Sequence, residues 1–83
     1  MANLWTGVVQ ANAEYQDLST LSSITFEEGT SYQIQCLNPC IVREGTVGGG
    51  FTIDNTKPFE FVAKGDDLYI KVSRNSCTVN IAN

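Results

Sequence analysis

From Ser31 to Asn83 the chain runs as one short alternating stretch after another, each broken by Gly, Asn or Asp. A period of two constrains the fold strongly, because residues i and i+2 of a strand share a face whereas helical neighbours recur every three or four positions. Tyr32, Ile34 and Cys36 fall on one face, and Phe59, Phe61 and Ala63 alternate in the same way. Leu68, Ile70 and Val72 oppose Tyr69, Lys71 and Ser73, while Cys77, Val79 and Ile81 oppose Thr78 and Asn80. Ile24 and Phe26 begin the pattern, Cys40–Glu44 and Phe51–Ile53 add short runs, and Arg74-Asn75-Ser76 joins the last two runs as a hairpin-type turn. Pro39 ends the strand before it, and Lys64-Gly65-Asp66-Asp67 makes a tight turn. About seven short strands at spacings near ten residues predict an all-β fold, a small antiparallel β-sandwich or barrel with an N-terminal arm.

The first 22 residues differ from the rest. Leu4-Trp5-Thr6-Gly7-Val8-Val9 reads as a strand, Gln10–Glu14 as a turn, and Asp17-Leu18-Ser19-Thr20-Leu21 as polar and uncommitted. The expected division is an arm and connector over 1–22 and a β-domain over 23–83. An apolar strand outside a regular core needs a place to bury itself. It either completes its own sheet or adds to a neighbour's sheet edge or groove. On the second alternative Leu4, Trp5, Val8, Val9 and Tyr15 are partner-binding residues. Removing residues 1–10 would then abolish association and leave the domain folded. Val47, Gly48, Gly49 and Gly50 sit in a glycine-rich stretch that reads as an adaptable contact loop.

At 83 residues the chain is one small domain. Domains of this size bury only about two-thirds of their unfolded surface and commonly add disulfides, metal or oligomerisation. Charged residues make up 17% of the chain, against about 25% in average soluble proteins, a composition suited to packing against partners. Net charge is −4, and the five basic residues are scattered, so no electrostatic footprint for nucleic acid exists. The N-terminus lacks the pattern of a secretory signal and no apolar run is long enough to span a bilayer, so no membrane partner is expected.

The chain contains no histidine, which removes the commonest general base and metal ligand. No catalytic residue, metal site or cofactor is expected. Cys36, Cys40 and Cys77 are read as buried thiols, the default in a reducing cytoplasm. A Cys36–Cys40 bridge is the lesser alternative, and a three-legged zinc site lacks its fourth ligand. Glu27-Glu28 and Asp66-Asp67 lie in turns beside glycine, where acids stay solvated rather than converge. A calcium site from Asp54, Asp66 and Asp67 lacks the EF-hand spacing. The glycine stretch has no Gly-Lys-Ser/Thr ending and precedes no helix, so it is not a phosphate loop.

Four stretches carry a resemblance. They are Gly29-Thr30-Ser31-Tyr32-Gln33-Ile34-Gln35, Phe59-Glu60-Phe61, Gly65-Asp66-Asp67-Leu68-Tyr69-Ile70-Lys71 and Thr78-Val79-Asn80-Ile81-Ala82. With the turns between them they make residues 24–82 resemble the small all-β virion proteins of tailed bacteriophages, of head-decoration, fibre-base or tail-accessory type. The resemblance implies a non-enzymatic homo-oligomer, often a trimer, bound to major capsid or tail proteins on a virion assembled in the host cytoplasm. It also implies an N-terminal arm that grips the shell, a place that Leu4–Val9 fits. Two other readings compete: a carbohydrate- or receptor-binding β-module, and a small phage-encoded inhibitor of a host protein.

Overall fold

A computed structural model describes residues 2–46, 48–65 and 67–83. The expectations placed on Val47 and Asp66 therefore lie outside the described residues. Among the described residues, eight strands and one short helix follow in the order β1 (Asn3–Val9), β2 (Gln16–Asp17), α1 (Leu18–Ser22), β3 (Ser31–Cys36), β4 (Cys40–Glu44), β5 (Phe51–Ile53), β6 (Phe59–Val62), β7 (Leu68–Lys71) and β8 (Cys77–Ala82). They build two four-stranded antiparallel sheets, ordered β1-β8-β3-β6 and β2-β7-β4-β5. The expected all-β sandwich is present.

Alternation sets the core. Tyr32, Ile34, Cys36, Phe61, Val79 and Ile81 face inward from the first sheet, and Val42, Leu68, Ile70 and Val72 meet them from the second, all buried. The outward positions of the first sheet are mostly uncharged, with Thr6, Asn80 and Gln35 in one cross-strand row and Glu60 the charged exception opposite Gln33. Among the described residues, sixteen apolar side chains make one continuous core, which is what a sandwich of two half-apolar sheets must bury.

Leu4–Val9 takes the first of its two alternatives. β1 pairs with β8 along its length, with a register shift between Asn3 and Trp5, so Asn3–Val9 is a strand of the sandwich rather than a free arm. Val9 is only 1% exposed and Trp5 packs on the core.

Four expectations are corrected. The polar stretch after Asp17 is helix α1. The Asp17 carboxylate caps it, accepting from the Ser19 amide and hydroxyl, and Ser23 ends it at φ 59°. Ile24 and Phe26 belong to no strand. Their loop folds over the sandwich, with Phe26 edge-on to Tyr32 and Phe61 and the Glu27 amide donating to the Tyr32 hydroxyl at 2.8 Å. β7 and β8 are no hairpin: Asn75 does turn the chain at φ 56°, but it carries the chain from the second sheet to the first. Finally, Cys36 and Cys40 form a disulfide and only Cys77 is a free thiol. The physical reason is the turn at Leu37–Pro39, which passes from β3 in one sheet to β4 in the other and faces the two inward sulfurs across the sandwich.

Candidate interaction edge

The sandwich has two lateral openings, because β1 faces β2 at one side and β6 faces β5 at the other. The first is filled. α1 packs against β1, β2 and β7, and Leu18 plugs the gap with none of its surface exposed. The opposite side has no such plug among the described residues.

What stands at that second opening is a pair of phenylalanines. Phe51 is paired with the fully buried Val42, and Phe59 with the fully buried Ile34. Directly paired residues point to the same face of a sheet, so both rings have inward register. Yet Phe51 is 62% exposed. Its ring stacks on Phe59 at 6.2 Å between centroids and 26° between planes. Beside them lies an open groove of about 560 Å³ lined by Phe51, Ile53, Pro58 and Phe59, with Asp54, Lys57 and Glu60 at its polar rim.

Local chemistry holds this arrangement. The turn after β5 is an Asx turn: the Asp54 carboxylate accepts from the Thr56 hydroxyl and from its amide at 2.9 Å. These two bonds, the hydroxyl first, hold the Asp54 carboxyl below its ordinary value of 3.8. A bridge between Asp54 and Lys57 closes the turn and returns the chain to the other sheet, so β5 and β6 each leave an outer backbone edge unpaired among the described residues. β5 carries no charge to blunt that edge.

The sequence-derived contact residues are placed differently. Leu4 and Val8 lie on the outer face of β1, 41% and 55% exposed. Trp5 lies inward and half-buried, its indole over Gly7, and Val9 is buried. Tyr15 sits apart from them on the outer face of the second sheet, its ring 3.9 Å beneath the Arg43 guanidinium. Arg43 also donates to the carbonyls of Gly45 at 3.1 Å and Gly48 at 3.5 Å. The structure thus joins Tyr15 to the glycine loop, where Gly48, Gly49 and Gly50 are exposed, with Gly50 close against Ile41 and Val42.

Phe51 was missed as a site residue. Its alternation was visible, but its exposure follows from its position at the end of a sheet. Among the described residues no group of acids gathers Asp54 or Asp67 with a third ligand; the one cluster of metal-ligating side chains is Cys36, Cys40 and Cys77. No protein-family model, curated protein or solved structure matches this chain.

Proposed function

We propose that this chain is a non-enzymatic structural protein of a tailed-phage type of virion, which joins its assembly when a neighbouring subunit closes the opening at Phe51 and Phe59. The observation that carries the reading is an aromatic ring in inward register that is left 62% exposed between two free strand edges. A segment of another subunit that enters there gains backbone hydrogen bonds from an edge and buries both rings. Covering a few hundred Å² of apolar surface at ~25 cal/mol per Å² is worth several kcal/mol before ordering costs. Repetition on a lattice multiplies that modest affinity. Leu4 and Val8 on the β1 edge provide a second contact, and the resemblance in residues 24–82 favours a homo-oligomer, as a trimer, on capsid or tail protein.

The test has two arms. Phe51→Ser should leave the circular-dichroism spectrum of the isolated protein unchanged and lower its incorporation into particles at least tenfold, the scale of ~1.4 kcal/mol. Undiminished incorporation would refute the edge. Mass spectrometry of purified particles from a genome encoding the chain should detect it in stoichiometric amount, and its absence there would refute the virion role.

A further inference from the structure

One corner of the sandwich holds three sulfurs, not two. The Sγ atoms of Cys36, Cys40 and Cys77 all lie within 4.8 Å of one another, and all three residues are buried. Each arrives from a different element: Cys36 ends β3, Cys40 starts β4, and Cys77 starts β8. Two turns are clasped around them. The Leu37 amide donates to the Thr78 carbonyl at 3.0 Å, and the Asn38 side-chain amide donates to the Ser76 carbonyl at 3.4 Å. The Cys77 thiol points back at the same turn, 3.4 Å from the Asn38 carbonyl. The third sulfur is therefore held beside the bridge by backbone and side-chain contacts on both sides.

We infer that Cys36, Cys40 and Cys77 form one thiol–disulfide exchange centre, in which a single disulfide migrates among the three sulfurs. The step needs no oxidant. On local opening of the corner the Cys77 thiol gives its proton to solvent hydroxide, and its thiolate attacks the Sγ of Cys36 or Cys40. A new S–S bond forms, the Cys36–Cys40 bond breaks, and the displaced sulfur leaves as a thiolate and takes up a proton. Oxidation state is conserved.

The consequence is conformational. A Cys36–Cys40 bridge ties one sheet to the other, whereas a Cys36–Cys77 bridge lies between neighbouring strands of the first sheet. Attack on Cys36 therefore unties the corner and frees Cys40, whereas attack on Cys40 gives a bridge that still joins the sheets and frees Cys36. Cys40 lines an open groove of about 460 Å³ with Asn38, Pro39, Ile41 and Arg74. Small electrophiles and disulfides that enter this groove meet the residue that carries the freed thiol.

Trypsin reads the exchange directly. The first cleavage site is Arg43, so Cys36 and Cys40 share the peptide 1–43, while Cys77 lies in 75–83 after Arg74. Native oxidised protein is held at mildly alkaline pH without denaturant, acid-quenched, alkylated in denaturant and digested. The expected product is a linked 1–43/75–83 pair, formed about tenfold faster than the buried β8 amides exchange with deuterium. Native iodoacetamide should meanwhile label Cys40. The Cys77→Ala protein should yield neither signal, and Cys40→Ala, oxidised with glutathione disulfide, should form Cys36–Cys77. No linked pair, or a pair that forms only as fast as β8 amides exchange, would overturn the inference, as would Cys40→Ala protein that leaves Cys36 and Cys77 unpaired.

Discussion

Gly7→Ala tests whether β1 is a working part of the sandwich. Gly7 and Trp5 share the inward face of β1, and a methyl at Gly7 would strike the six-membered ring of the Trp5 indole at Cζ2, Cη2 and Cε2. The backbone is held by β8, with Gly7 opposite Val79, so the indole must leave. A tryptophan buries about 150–250 Å² when well packed, so a half-buried one hides about 100 Å². At ~25 cal/mol per Å², its expulsion costs about 2.5 kcal/mol. Replacing strand glycine by alanine returns about 0.5–1 kcal/mol of chain entropy. The net expectation is a loss of about 2 kcal/mol, or roughly 10 °C in Tm for a domain of this size.

Trp5 is the only tryptophan, so urea unfolding followed by its fluorescence measures stability and environment together. Gly7→Ala should shift native emission to the red and lower the midpoint. The decisive comparison is a double-mutant cycle. In a Trp5→Ala background the steric conflict is gone, and Gly7→Ala should become stabilising by ~0.5 kcal/mol, which gives a coupling of about 2.5 kcal/mol between the two sites. If Gly7→Ala raises stability in the parent and leaves the emission maximum in place, the indole does not sit over Gly7, and the assignment of β1 to the core fails with it.

Three further outcomes follow from the same geometry. Deleting residues 1–10 removes all of β1, and the product should lack a cooperative thermal transition; a sharp melt near the parent's would restore the free-arm reading. Leu18→Ala empties the plug of the closed opening and should cost about 2–5 kcal/mol in urea unfolding, the range for a fully buried leucine. Asp54, whose carboxyl is held low by Thr56, adds stability that is complete above the ordinary value of 3.8 and drains as pH falls through its lower folded value. Carboxyl-carbon NMR should give Asp54 a midpoint below 3.8, and Asp54→Asn should flatten the acid limb of the stability profile.

The alternation of Tyr32, Ile34 and Cys36, and of Leu68, Ile70 and Val72, was legible because a sheet with one buried face forces it on the sequence. Helix α1 was not, because five residues are too short to display a helical period; the Asp17 cap was its one local sign. Ile24 and Phe26 misled for a related reason. They alternate because a loop wraps the Tyr32–Phe61 cluster, and burial of alternate residues on such a loop imitates a strand. Spacing allows the Cys36–Cys40 bridge but does not favour it over buried thiols, because the pairing depends on where the Leu37–Pro39 turn delivers Cys40.

Sheet membership was the larger gap, and it determines where the candidate site lies. A period of two identifies the inward face of a strand but not the sheet that strand joins. Among the described elements, β4 to β5 stays within one sheet, and every other step between consecutive strands crosses to the opposite one. Crossing at β5 to β6 has a specific effect, because these two strands are the last members of their sheets. The connection over 54–58 must span the lateral opening, and the strands it joins must face each other across it. Phe51 and Phe59 therefore meet where each sheet has run out of neighbours. Each ring obeys the inward rule of its strand, yet the pair has no third layer to cover it. The exposed stack thus comes from ordinary alternation combined with crossing connectivity. A partner strand along either free edge would extend a sheet by one position and cover the rings.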